Sequence, residues 1–227
     1  MSHVFTMSTL LGAAAVLAVA SASQGAVLAQ YDFSANPAVS SDTDLNSTAT
    51  NFVASGAAAG ISTSSGTAFI RSSGTGTDAA AAATDDDFFS FTVAAANSGD
   101  VLNLSSLTFN LVPSNQSTAN PVNFTSNVLV SAGSTEIGTA GRTVGNTNGA
   151  PSSAGDLVSF DLSAPEFQNL GQVTLRFAFF DLQTDGNSFI NRLDNVVLNG
   201  TVAAAVPEPT MLALAPLALA AMVRRRR

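Results

Sequence analysis

Cysteine, tryptophan and lysine do not occur in this 227-residue chain, and histidine and tyrosine occur once each, as His3 and Tyr31. Without cysteine there is no disulfide, no thiolate metal ligand and no sulfur nucleophile. Without lysine there is no Schiff base. His3 lies in the first residues, so the body cannot assemble a Ser-His-Asp or Cys-His nucleophile or a zinc site of His and Cys. Positive charge is nearly as scarce. Arg71, Arg142, Arg176 and Arg192 are the body's cations against fifteen Asp and Glu, for a net charge near −11. Four scattered arginines on an acidic body offer no stripe to neutralise phosphates, which excludes nucleic acid as a partner.

Apolar residues make up 46% of the chain, with fifteen phenylalanines. About 180 body residues suffice to bury a core without disulfide staples. The apolar residues recur with a period of two, as half-buried strands require. Val122, Phe124, Val128 and Val130 alternate with Asn123, Thr125 and Asn127. Leu107, Phe109 and Leu111 alternate with Thr108 and Asn110. Phe89, Phe91 and Val93 alternate with Ser90 and Thr92, and Val173, Leu175, Phe177 and Phe179 with Thr174, Arg176 and Ala178. Further strands are expected at Val27 to Phe33, Phe52 to Ser55, Ala68 to Arg71, Leu157 to Leu162 and Ile190 to Leu198. Gly, Ser, Asn, Thr and Pro clusters between them, including Asn148-Gly149 and Asp185-Gly186, suit turns.

Nine or ten strands without a sustained helical stripe predict an all-β body, a two-sheet antiparallel β-sandwich of jelly-roll type, in which most phenylalanines fill the space between the sheets. Ala79 to Ala83 is read as a loop or edge segment, inside a stretch from Gly56 to Thr84 that is poor in large side chains. No fixed internal period argues for a solenoid or propeller.

Both ends differ from the body. Leu10 to Ala20 is an apolar run followed by Ala20-Ser21-Ala22, which reads as a signal peptide spanning residues 1–26, cut after Ala22 or Ala26. Residues 27–205 then form the sandwich domain. Residues 206–227 hold Pro207-Glu208-Pro209, an apolar run from Met211 to Val223 and Arg224, Arg225, Arg226 and Arg227 at the terminus. Thirteen apolar residues span only about 20 Å as a helix, against about 30 Å of bilayer hydrocarbon. Pro216 interrupts that hydrophobic helix. The four arginines favour the cytoplasmic side and hold the body outside. The ordered set of Pro-Glu-Pro box, short hydrophobic transmembrane helix and basic cluster resembles the PEP-CTERM sorting signal of exported bacterial proteins. That resemblance covers about a tenth of the chain. It implies an exosortase-like membrane protease as partner, cutting near the box, and an inner-membrane-tethered intermediate before release to the cell surface or the medium.

Three acidic constellations are candidate cation sites. Asp181, Gln183, Asp185, Gly186 and Asn187 begin like an EF-hand loop, but Arg192 stands where the bidentate carboxylate belongs, so a hairpin turn is the better account. Asp85-Asp86-Asp87 is either solvated or holds Ca²⁺. Asp32 and Asp194, in the first and last expected strands, resemble the pair that links those strands through a structural Ca²⁺ in carbohydrate-binding jelly rolls. The alternative is that Asp194 pairs with Arg192 or Arg176, or caps a turn.

The function expected from these features is an exported, non-catalytic, structural or adhesive protein of the cell surface or extracellular polysaccharide matrix. The alternative is a carbohydrate-binding module with a structural calcium. A glycoside-active enzyme ranks third, because Glu136, Glu166 and the loop aspartates combine with no recognisable motif.

Overall fold

Alternation becomes burial along each long strand. Phe89, Phe91 and Val93 are buried while Ser90 and Thr92 are half-exposed, and Val173, Leu175 and Phe177 are buried beside exposed Thr174. The structure, a computed structural model, describes residues 25–204 apart from 43, 72–74, 116–123, 146–149, 152–154 and 181–188. Its strands are β1 (Ala26–Tyr31), β2 (Ser47–Ala49), β3 (Val53–Ser55), β4 (Ala59–Ser62), β5 (Thr67–Arg71), β6 (Phe88–Ala95), β7 (Asp100–Leu111), β8 (Ser114–Asn115), β9 (Phe124–Ala132), β10 (Thr135–Val144), β11 (Asp156–Asp161), β12 (Gln172–Phe180) and β13 (Phe189–Ala204).

They form two antiparallel sheets packed as a β-sandwich. The first runs β11-β7-β13-β5-β4, with β1 and β8 also paired to β13. The second runs β10-β9-β12-β6-β2, with β3 also paired to β6. β13 is the spine of the first sheet. Along one edge it pairs first with β5 and then with β1, and along the other first with β8 and then with β7 as far as Ala204.

Aromatic rings fill the space between the sheets. Phe52 lies within 5.8 Å, centroid to centroid, of Tyr31, Phe33, Phe89, Phe91 and Phe177. Phe109 of the first sheet meets Phe177 of the second edge-on at 5.5 Å. The sulfur-free core thus rests on ring contacts that add to simple area burial. The Tyr31 hydroxyl donates to the Thr50 carbonyl, and burial, reinforced by nearby Asp42, pushes its phenol above the ordinary range. A smaller second cluster, Phe124, Val144 and Phe189, closes one end of the sandwich.

The expected strands are present with shifted ends. The last runs to Ala204 rather than Leu198, and the pairing ladder adds β2, β4, β8 and β10. Ala79 to Ala83, read as loop or edge, instead lies in a helix, α1 (Ala79–Thr84). The Asp78 carboxylate caps it by accepting from the Ala81 amide at 2.8 Å. Its buried face is a single small residue, Ala82, so no apolar stripe marks it in the sequence. Ala26 pairs with Gly200, so the chain enters the sandwich beside the place where β13 leaves it. Among the described residues no helix is long and apolar enough to cross a membrane.

Candidate functional site

At the end where β13 finishes, the β9–β10 turn faces the segment leading into β12 across a groove of about 370 Å³. Ser134 and Thr135 line one side, Glu166 and Leu170 another, and Gln172 and Thr174 the floor. Pro165–Phe167 forms a single 3₁₀ turn with proline at its start, where the missing N–H costs nothing. Gln168 then pins the segment, its amide donating to the Leu104 and Leu162 carbonyls at 2.9 Å each. Glu166 is thereby held at the rim of a wall anchored to the first sheet.

From this groove the outer face of the second sheet continues as a surface of hydroxyls. Thr92 and Thr174 meet across β6 and β12 at 2.8 Å, and Thr125 and Thr143 across β9 and β10 at 2.8 Å. The groove and this face offer hydroxyl and amide donors and acceptors beside Glu166 and, opposite Ser131 in the ladder, Glu136, groups able to bond sugar hydroxyls. Glu166 is the carboxylate among the described residues lining the groove.

At its far end the same face is covered by α1. Arg176 rises from β12 and donates to the Ala82 carbonyl at 3.0 Å and the Asp85 carbonyl at 2.6 Å, with its guanidinium 4.4 Å from the Phe88 ring centre. Burial lowers its pKa, and the charges of Asp85 and Asp86 act the other way. This arginine holds the helix to the sheet and is committed to that task.

The Asp85-Asp86-Asp87 run is divided among structural roles. The Asp87 carboxylate accepts from the Ala58 amide at 2.8 Å, and Asp85 accepts from the Asp87 amide at 3.1 Å.

Asp32 and Asp194 are brought close by the pairing of β1 with β13, where Tyr31 faces Val196. Asp32 accepts from the Ser34 amide at 3.1 Å and hydroxyl at 2.8 Å, bonds that lower its pKa. Asp194 is shifted upward, chiefly by burial and secondarily by repulsion from Asp32, against the opposing Asn195 amide. Next to each carboxylate the backbone turns left-handed, at Phe33 (φ 55°) and Asn195 (φ 49°), and β13 is bulged between Asp194 and Val197. Among the described residues Asp194 makes no ion pair with Arg192 or Arg176; the ion pair found is Arg142 to Asp156 at 3.3 Å. Two carboxylates with neighbouring backbone oxygens are hard donors of the kind Ca²⁺ takes, but among the described residues no group of three or more acidic side chains converges here or elsewhere.

The other sequence candidates fall elsewhere. Pro207, Glu208, Pro209 and Arg224 to Arg227 lie outside the described residues, as do residues 1–24 of the expected signal peptide and Asp181 to Asn187, whereas Ala26, its last expected residue, is the first of β1. Arg192 is on β13 with its side chain 8% exposed, donating weakly to Ser65. Ser134, Thr135 and Gln172 were not singled out by the sequence, where isolated polar residues in a chain rich in them carry no signal.

No family model matches the chain, and no curated protein matches it. Several solved structures are similar at low identity. A family 29 carbohydrate-binding module is 13% identical with a TM-score of 0.32, over 68% of this chain and 90% of the module. The Stig cyclase Fisc from Fischerella sp. TAU, solved with an indole ligand, is 16% identical with a TM-score of 0.32, over 82% of this chain and 93% of the cyclase. The Agl-KA catalytic domain is 12% identical with a TM-score of 0.34, and the match takes in 86% of this chain but only 31% of that one.

Proposed function

We propose that this chain is an exported, non-catalytic protein of the bacterial cell surface or extracellular matrix, structural or adhesive in role, with a jelly-roll sandwich as its mature body. A PEP-CTERM-type segment sorts it, and an exosortase-like protease processes it. The carrying observation is the ordered C-terminal set of Pro207-Glu208-Pro209, the short apolar run and Arg224 to Arg227. A body without cysteine, lysine or histidine supports the non-catalytic reading, as does the pinning of Arg176 beneath α1. The pairing of first and last strands supports the jelly-roll assignment.

The test is the intact mass of the protein from its host, taken separately from membrane, surface and medium fractions. A surface or medium species ending near Pro207-Glu208-Pro209 is the expected result. Retention of Met211 to Arg227 in every fraction would overturn the sorting reading.

A second reading, a carbohydrate-binding module, is favoured by the groove at Glu166, Gln172 and Thr174 and the hydroxyl face beyond it. In it, Asp32 and Asp194 hold a structural Ca²⁺ that joins β1 to β13. Retention on an immobilised neutral polysaccharide, reduced by Gln172→Ala, is its expected signature. Equal retention of wild type and variant would count against that groove.

A further inference from the structure

Between the main aromatic core and the Phe124–Val144–Phe189 cluster lies a layer of polar residues inside the sandwich. Phe124, Ser126 and Val128 share the inner face of β9, and Phe189, Asn191 and Leu193 the inner face of β13, because residues two apart point the same way. Val128 and Leu193 belong to the main core, while Phe124 and Phe189 stack at 4.4 Å with their planes 16° apart. Ser126 and Asn191 therefore occupy the layer between. The ladder agrees: Asn191 lies opposite Ile70, a main-core residue. Both polar residues are fully buried, and among the described residues the Ser126 hydroxyl and both ends of the Asn191 amide have no hydrogen-bond partner.

Three unsatisfied polar atoms in one buried layer are costly, since each forfeits its hydration without replacement. We infer that this layer is an internal hydration site, in which ordered water bridges Asn191 to Ser126 behind the Phe124–Phe189 stack. An amide and a hydroxyl supply the two or more partners a buried water requires. A metal cation would find no carboxylate in this layer and would be repelled by Arg142, which lies opposite Ser126 in the ladder. An anion finds that arginine already engaged, donating to the Leu111 carbonyl at 2.7 Å and paired with Asp156. Two further unpartnered atoms, Ser114 Oγ and Arg192 Nε, belong to the opposite face of the first sheet, since Ser114 pairs with Ile190 and Arg192 with Phe69.

Oxygen-17 magnetic relaxation dispersion of the full chain in detergent micelles tests the site, with Asn191→Leu and Ser126→Ala compared against wild type. The expected result is slowly exchanging water in wild type, with the amplitude reduced by at least one water molecule in each folded variant. Ser126→Ala is the smaller change and keeps the test in force if Asn191→Leu does not fold. Equal amplitude in wild type and a folded variant would overturn the inference. So would a high-resolution crystal structure in which Asn191 bonds Ser126 directly with no water between them.

Discussion

Phe52 touches five aromatic rings drawn from both halves of the chain, so truncating it removes more than its own area. Phe52→Ala is expected to cost about 3–5 kcal/mol in denaturant unfolding. Arg176 acts differently, through two carbonyls and one ring, and Arg176→Met should cost about 1–3 kcal/mol while leaving the core packed. Loss of α1 amide protection in hydrogen exchange, ahead of the strands, is its expected signature. Asp194 gives a pH dependence of definite sign. Burial raises its folded-state pKa above the unfolded value, so the folded protein binds the proton more tightly and stability falls as pH rises through that window. Asp32, held by Ser34, has the opposite sign: its contribution is present above the unfolded pKa and is lost as pH falls through the lowered folded one. Asp194→Asn should therefore raise stability slightly at pH 7 in EDTA, by less than about 1 kcal/mol for a half-buried carboxylate still screened by solvent, read as a higher Tm, and the gain should vanish in acid. If Ca²⁺ occupies the pair, millimolar Ca²⁺ raises the wild-type Tm and leaves Asp194→Asn unmoved.

Helix α1 is six residues long, well short of what is stable alone, so its cap and its seat on the sheet decide whether it forms. Asp78→Ala removes the cap and is expected to cost about 1 kcal/mol, read as a lower unfolding midpoint with unchanged slope. The turn between β3 and β4 depends on Gly56, which adopts φ +85°; a Cβ there would come within 2.8 Å of the Asp87 backbone. The long strands were legible because one face is buried and the other wet, which imposes a period of two on residues such as Phe89 to Val93. β10 was not legible. Its sequence, Thr-Glu-Ile-Gly-Thr-Ala-Gly-Arg-Thr-Val, is an edge strand with few large side chains, so pairing with β9 defines it rather than its own pattern. The groove was hidden for a related reason. Ser134 comes from one segment and Glu166 and Gln172 from another far along the chain, and bonds from Gln168, Asn169 and Leu170 to β7 draw the second into place. Asp32 and Asp194 could be paired in advance because the adjacency of first and last strands follows from topology and needs no side-chain detail.

Among the described residues most strand pairings join residues distant in sequence, β1 with β13 above all, and the β9–β10 and β4–β5 hairpins are the local ones. Such a topology folds slowly for its size, on the order of milliseconds to seconds. The full chain's net charge of −8, near −11 for the body alone, opposes compaction, so added salt should raise the unfolding midpoint modestly. The inner polar layer sets the rim cluster apart from the main core. A slip of β13 by a single residue would turn Asn191 outward and Arg192 inward. The two ends of the sandwich bear on how it can be handled. Because residue 26 lies against residue 200, a short Gly/Ser bridge can close the chain into a ring, and new ends can be opened in another loop without breaking the β1–β13 ladder. The same adjacency makes a fusion at either end equivalent in space, so cargo attached before Ala26 or after Ala204 would project from one pole and leave the opposite pole free.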